Sequence, residues 1–91
     1  MWQVEFTSKS IKQFKKMPSK VQKIVALLVA DIKANGPVRY NWPNFSKLEE
    51  NTYHCHVKKG RPTYVVCWAV ANKQLEIVEI YYVGSHENAP Y

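Results

Sequence analysis

Three strand-like segments follow one another closely between residues 52 and 83, and this feature limits the possible folds more than any other. Thr52–Val57 alternates, with Tyr53, Cys55 and Val57 on one face and the two histidines on the other. Thr63–Val70 is almost entirely apolar, and Leu75–Val83 is rich in β-branched and aromatic residues. The short loops Lys58–Pro62 and Ala71–Gln74 separate them. Short loops join antiparallel neighbours, so the pattern predicts an antiparallel meander. Thr63–Val70 is predicted to be the central strand because both of its faces are apolar.

A strand and two helices are predicted before the meander. Trp2–Phe6 alternates as a half-buried strand does, and Thr7 or Ser8 is a suitable cap for a short basic helix. A second helix is predicted over Ser19–Ala34, where apolar residues recur at three- and four-residue spacing, and Asn35–Pro37 ends it. The order β-α-α-β-β-β predicts an α+β fold. In it the N-terminal strand and a helical hairpin pack on a mainly antiparallel sheet, and the other face of the sheet stays partly open.

Residues 38–48 are irregular and contain Arg39, Tyr40, Trp42 and Phe45. One interpretation is an extended connector whose aromatic rings close one end of the core. The other is an aromatic and basic rim on which bases stack.

Length and composition narrow the class of protein. The 91 residues, 46% of them hydrophobic, predict one domain over residues 1–91. No apolar run approaches the roughly 18–20 residues of a membrane span, and no secretion signal is visible, so we expect a cytoplasmic protein without a membrane partner. Cys55 and Cys67 fall in predicted strands without Cys-x-x-Cys spacing, which favours two reduced, buried thiols over a disulfide or a metal site.

The net charge of +6 favours a polyanionic partner such as RNA, DNA, the ribosome surface or an acidic protein. A basic protein without such a partner is the alternative.

His54 and His56 are the strongest local sign of chemistry. They lie two residues apart on a predicted strand, so both point to the same face, opposite Tyr53, Cys55 and Val57. An imidazole titrates near neutral pH and can act as a general base or acid. Two alternatives remain: a pair of exposed surface histidines, and a metal site completed by the third histidine of the chain.

Lys58, Lys59 and Arg61 form a cationic turn that continues the histidine face. A guanidinium can bind phosphate oxygens in a bidentate way. The alternative is that these residues simply form a solvated hairpin tip, which is where such residues usually lie.

Gly84 is expected to end the last strand, and Ser85–Tyr91 to form a short tail. His86 and Tyr91 either reach the open face or belong to a frayed terminus. Glu79, in the middle of a strand, either pairs with a lysine or lies on the open face.

These features together resemble the RelE/ParE superfamily of bacterial toxins. The resemblance rests on the order of elements, the segment Tyr53–Lys58 with Arg61 beyond it, and the ending Tyr82–His86 with a final Tyr91. It covers nearly the whole chain and is strongest from Lys47 to the end. RelE-like ribonucleases such as HigB and YafQ finish with Gly-Thr-His and an aromatic residue shortly after, where this chain has Gly-Ser-His.

The resemblance implies a fold similar to microbial ribonucleases and a toxin that cleaves messenger RNA in the ribosomal A site. In such enzymes the 2′-hydroxyl attacks the adjacent phosphate, leaving a cyclic phosphate and a 5′-hydroxyl, without a metal or other cofactor. The partners implied are mRNA, the ribosome and a cognate antitoxin, which is expected to be small, partly acidic and disordered when free.

Site residues are implied position by position. His54 and His56 occupy strand positions where the family has lysine or histidine, and which of them is the base stays open. Lys58 and Arg61 match phosphate-binding positions, His86 the C-terminal catalytic residue and Tyr91 the terminal aromatic. Further basic residues are expected to contact RNA or the ribosome: Lys9, Lys12, Lys15, Lys16, Arg39, Lys47 and Lys59.

The chain departs from the family in two respects. RelE itself has lysines where this chain has His54 and His56, and the spacing from His86 to Tyr91 differs from some relatives. The alternative functions are a ParE-like gyrase inhibitor without catalysis, and a nonenzymatic nucleic-acid-binding module.

Overall fold

A computed structural model describes residues 1–91 and has two helices on one face of a five-stranded sheet. The elements are β1 (Gln3–Phe6), α1 (Ser8–Lys15), α2 (Ser19–Asn35), β2 (Ser46–Glu49), β3 (Thr52–Lys58), β4 (Tyr64–Asn72) and β5 (Ile77–Ser85), followed by a short 3-10 helix, His86–Asn88. The strand order is β1-β5-β4-β3-β2, in which only β1 and β5 run parallel. The predicted α+β fold is confirmed, with β4 as the central strand.

Three features of the sheet differ from the sequence-based expectation. The connector 38–48 ends in a strand, β2, which pairs with β3 and places Ser46 opposite His54. The last strand begins at Ile77 rather than Leu75, because Glu76 has a positive φ of 54° and belongs to the turn. Gly84 lies inside β5, paired with Val65, and does not end the strand.

The predicted helix ends are confirmed. Thr7 caps α1, since its Oγ1 accepts a hydrogen bond from the backbone N of Ser10 at 3.0 Å. Gly36 ends α2 with a φ of 92°, a conformation that favours glycine. The side-chain amide of Gln22 in α2 donates to the carbonyls of Phe14, Lys15 and Met17, and so satisfies the open end of α1. Neither helix has the length and hydropathy of a membrane-spanning helix.

The core lies between the helices and the sheet. Its fully buried side chains include Leu28 and Ile32 from α2 and Trp68 and Ile80 from the sheet. A smaller cluster of Val65, Cys67 and Tyr82 lies on the opposite face. Both cysteines are free and buried, as predicted, one on each face, and burial raises the pKa of each thiol to about 12.

The connector after α2 is fixed by one carboxylate, Asp31. It accepts hydrogen bonds from Trp42 Nε1 at 2.8 Å, Arg39 at 3.0 Å, Asn41 at 3.1 Å and Asn35 at 2.7 Å. The bond from Trp42 contributes most to holding the pKa of Asp31 well below its usual range; burial opposes this, and the other three bonds add to it.

The aromatic residues of the connector close one end of the core. Phe45 stacks on Tyr53 with ring centroids 5.7 Å apart and lies 6.0 Å from Trp68. The indole nitrogen of Trp42 is bound to Asp31 and its ring is partly exposed, whereas Tyr40 is 84% exposed. The core-closing interpretation is therefore confirmed for Phe45, and base stacking on Tyr40 stays a prediction.

Candidate active site

Four rings meet on the face of the sheet that the helices leave uncovered. His54 and His56 point there from β3, because Tyr53, Cys55 and Val57 are turned into the core on the helix side. His86 follows β5, and Tyr91 comes from the end of the tail. The ring centroids are 5.8 Å apart for His54 and His56, 5.4 Å for His56 and His86, 6.0 Å for His86 and Tyr91, and 4.5 Å for Tyr91 and His54. We call this set the histidine cluster.

The tail is anchored where it leaves the sheet. The backbone N of His86 donates to the carbonyl of Thr63 at 2.8 Å, and the Tyr82 hydroxyl donates to the carbonyl of Ser85 at 2.7 Å. The Tyr82 ring lies so close over Gly84 that a Cβ at this position would be 2.6 Å from the hydroxyl oxygen. Gly84 is therefore needed to let Tyr82 fix the turn that presents His86. The frayed-terminus interpretation does not describe His86–Asn88.

His54 is the most enclosed member of the cluster, with 8% of its surface exposed. Its Nδ1 lies 2.9 Å from the Oγ of Ser46 in β2, and Tyr91 covers its ring. Burial lowers the pKa of His54, and the neighbouring His56 lowers it further. The sequence does not predict a role for Ser46, because residues 38–48 show no strand pattern and only the sheet pairs Ser46 with His54.

His56 lies between the other two imidazoles and is partly open to solvent. Its backbone N donates to the carbonyl of Pro43 at 2.8 Å, which ties β3 to the connector held by Asp31. Burial lowers the pKa of His56, followed by the charges of His86 and Lys59. At neutral pH His56 is therefore an uncharged imidazole that can accept a proton.

A polar cavity of about 480 Å³ adjoins His86. It is lined by Arg61, Thr63, His86 and Glu87 together with Gly60 and Pro62, and has no hydrophobic side chain apart from the proline ring. The turn is held by Thr63, whose Oγ1 donates to the carbonyl of Gly60 at 3.0 Å and lies 3.3 Å from its backbone N. Arg61 and His86 thus line one space, which we call the Arg61 cavity.

Lys58 is not placed as the strict alternation predicts. The register of β3 against β4 shifts after His56, so Lys58 pairs with Tyr64, a residue that packs on the helix-side core. Lys59 is the lysine whose charge acts on His56. The irregularity in the strand therefore breaks the alternation that would place Lys58 on the same face as His54 and His56.

The remaining predicted basic contacts fall into two groups. Lys9, Lys12, Lys15 and Lys16 are exposed and form no salt bridge, and Lys47 reaches only the exposed Glu50 at 4.0 Å. Arg39, in contrast, is 16% exposed and paired with Asp31. The Arg39 guanidinium is therefore used inside the fold, and contact between Arg39 and RNA stays a prediction.

Glu79 lies on the uncovered face, because its neighbours Val78 and Ile80 point into the helix-side core. It forms no salt bridge, so the open-face interpretation is the correct one. No three or more His, Cys, Asp or Glu side chains are grouped in a way that could hold a metal ion.

Comparison with known proteins shows the fold. No family model matches the chain, and no curated protein matches its sequence. A solved structure of the archaeal RelE–RelB complex from Pyrococcus horikoshii OT3 is similar, with a TM-score of 0.77 at 15% identity over 97% of this chain and 98% of that one.

Two further structures are also similar. The isolated E. coli RelE toxin has a TM-score of 0.73 at 16% identity, over 99% of this chain and 89% of that chain. A metal-bound toxin from Helicobacter pylori has a TM-score of 0.71 at 18% identity, over 96% and 97%. The chain therefore has the RelE fold, as its resemblance to the RelE/ParE superfamily implies.

Proposed function

We propose that this chain, which has the RelE fold, is the toxin of a toxin–antitoxin pair and an endoribonuclease that cleaves mRNA in the ribosomal A site. The observation that carries the proposal is the histidine cluster beside the Arg61 cavity on the uncovered face of that fold. Residues 1–91 act as one catalytic domain, in the cytoplasm, and the cleavage of mRNA inhibits translation.

The reaction is an attack of the 2′-hydroxyl oxygen on the adjacent phosphorus. A bond forms between that oxygen and phosphorus, and the bond from phosphorus to the 5′-oxygen of the next nucleotide breaks. A base takes the 2′-hydroxyl proton and an acid protonates the leaving 5′-oxygen. The products are a 2′,3′-cyclic phosphate and a 5′-hydroxyl, and the chemistry uses no metal ion because side chains supply each proton transfer and the cationic charge.

His56 is the base in this proposal. It is uncharged at neutral pH because burial and the adjacent positive groups lower its pKa. It is also more accessible than His54, whose Nδ1 lies within hydrogen-bond distance of Ser46 and whose ring is covered by Tyr91. His54 and Tyr91 position His56 and the nucleotide that carries the 2′-hydroxyl.

His86 is the acid and Arg61 binds the phosphate. His86 is exposed, lies 5.4 Å from His56 between ring centroids, and opens onto the Arg61 cavity. A guanidinium beside the reacting phosphate stabilises the charge that develops on its oxygens, an effect commonly worth about 10²–10³-fold in rate. Lys59 and Lys58 add positive charge at the same end of the sheet.

The partners follow from charge and from similar structures. A net charge of +6 and the unpaired lysines of α1 favour contact with ribosomal RNA and mRNA. The similar structures include RelE–RelB and RelBE complexes, which supports an antitoxin that covers the basic surface of this chain.

Expression in growing cells tests the proposal. The wild-type chain is expected to arrest growth and to leave mRNA cut within translated codons, as mapped by primer extension. His56→Ala, His86→Ala and Arg61→Ala should each remove the cuts, while Lys73→Ala, an exposed lysine outside the cluster, should not. DNA damage with intact mRNA would instead identify a gyrase inhibitor and refute the proposal.

A further inference from the structure

A second cavity, of about 500 Å³ and with a mixed polar and apolar lining, lies between α1 and the end of β5. Lys9 and Gln13 line it from α1, Tyr64 from β4, and Gly84 and Asn88 from β5 and the tail. It shares Pro62 with the Arg61 cavity, and its residues Ser85 and Asn88 flank His86 and Glu87. The two cavities therefore adjoin at Pro62, one beside His86 and the other beside α1, and we call the second one the α1 groove.

The α1 groove presents hydrogen-bond donors without protein partners. Lys9 forms no salt bridge, and the side chain of Asn88 forms no hydrogen bond within the protein. The Oε1 of Gln13 accepts from the backbone N of Val83 at 3.0 Å, which fixes the orientation of its amide and leaves the NH₂ group free. No carboxylate lines the groove.

This chemistry suits a nucleotide. An ammonium and two amide groups can donate to phosphate and to the acceptor atoms of a base. The ring of Tyr64 offers an aromatic surface of the kind on which bases stack. The volume lies in the range of sites that bind small ligands.

We propose that the α1 groove binds the nucleotide on the 3′ side of the cleaved bond, with the phosphate that follows this nucleotide on Lys9. The inference rests on the proposed function and adds the direction of the RNA strand. The leaving 5′-oxygen belongs to the 3′ nucleotide and is protonated by His86. Since the Arg61 cavity beside His86 adjoins the groove at Pro62, the 3′ nucleotide enters the groove, and the 5′ nucleotide lies towards His54 and Tyr91.

An acidic peptide is the other ligand that the charge would accept. RNA is favoured because the groove continues into the cavity that holds His86 and Arg61, and because an aromatic ring contributes to its wall.

Two uncleavable ligands test the direction in an NMR titration of isotope-labelled protein. The short ligand is 2′-O-methyladenosine 3′-monophosphate, and the long ligand is the 2′-O-methyl dinucleotide ApAp with a 3′-terminal phosphate. Both should shift the amide signals of His56 and His86. Only the long ligand should shift those of Lys9 and Asn88 and the side-chain NH₂ of Gln13.

Lys9→Gln gives an independent measurement. It should weaken binding of the long ligand by about two- to fivefold at low salt, the range for one exposed ionic contact, and leave the short ligand unaffected. Lys23→Gln, an exposed lysine of α2 outside the groove, is the matched control and should change neither affinity.

The outcomes separate this inference from the proposed function. If the long ligand shifts only the histidine cluster, or if Lys9→Gln weakens both ligands equally, the groove is not the 3′ site while the proposed function stands. If neither ligand shifts His56 or His86, the proposed function fails as well. A shift of the groove signals by a hexaglutamate peptide but not by the long ligand would identify a protein-binding surface and overturn the inference.

Discussion

Replacement of Asp31 by alanine should destabilise the fold by about 3 kcal/mol. Asp31 and Arg39 form a salt bridge at 3.0 Å, with side chains only 19% and 16% exposed. Without the carboxylate, the Arg39 guanidinium keeps one contact, to the carbonyl of Asn35 at 3.1 Å, and a longer one of 3.5 Å to Asn41; its Nε already has no partner. Trp42 Nε1 also loses its acceptor.

The size of this destabilisation follows from the low exposure of the Asp31–Arg39 ion pair. Removing one member of a buried ion pair costs about 3–5 kcal/mol, and the remaining exposure places Asp31→Ala at the lower end. For a chain of this size, a loss of about 3 kcal/mol lowers the melting temperature by roughly 12–24 °C. Because the pKa of Asp31 is depressed in the folded state, its contribution is fully present above the unfolded value of about 4 and is lost only as pH falls below that value.

Urea unfolding followed by tryptophan fluorescence measures the effect. The difference in the free energy of unfolding between wild type and Asp31→Ala should be constant from pH 5 to pH 8 and should shrink below pH 4. Asp31→Asn keeps the shape and one acceptor oxygen, so it should lose less stability. A difference below about 1 kcal/mol at pH 7 would show that the connector does not depend on this carboxylate, and would refute the reasoning.

Four further outcomes are expected at the candidate site. His86→Ala should lower the rate of mRNA cleavage by about 10²–10⁴-fold, because the leaving oxygen loses its acid. Arg61→Lys keeps the charge but not the bidentate geometry, and should fall between wild type and Arg61→Ala in the same assay. Ser46→Ala should lower the free energy of unfolding by about 1 kcal/mol and shift the ring-nitrogen NMR signals of His54, while Ser46→Thr restores both. The rate of mRNA cleavage should fall as the solution becomes more acidic, with a midpoint below about pH 6.5, because the pKa of His56 is lowered.

Each of these outcomes can fail separately. Full activity in His86→Ala would show that His86 is not the acid. Equal rates for Arg61→Lys and Arg61→Ala would mean either that the exact geometry of the guanidinium is needed or that the role of Arg61 lies elsewhere. Arg61→Gln distinguishes these two explanations. Unchanged His54 signals in Ser46→Ala would show that the hydroxyl does not orient the ring. An acid midpoint above 6.5 would contradict His56 as the base.

The sequence predicted those parts of the fold that depend on local periodicity. The alternation around His54 and His56 showed which face of β3 is buried, and the continuous apolar run of β4 identified the central strand. The ends of the helices followed from Thr7 and Gly36, whose roles depend on nearby backbone groups. The resemblance of the chain ending to RelE-like toxins drew attention to His86 and Tyr91, and the structure brings both beside the strand histidines.

The features that were missed depend on contacts between distant segments. β2 is short, and only its pairing with β3 shows that Ser46 lies at His54. The register shift after His56 breaks the alternation before Lys58, and no local sequence pattern predicts it. Arg39 looked like a free cation because its partner, Asp31, belongs to the preceding helix.

The chemical nature of the RNA ends left by the purified protein in a translating extract tests the central claim most directly. The proposed attack by the 2′-hydroxyl predicts upstream fragments that end in a 2′,3′-cyclic phosphate and downstream fragments that begin with a 5′-hydroxyl, both absent with His56→Ala. Fragments with a 3′-hydroxyl and a 5′-phosphate, or mRNA that stays intact while growth stops, would contradict the account.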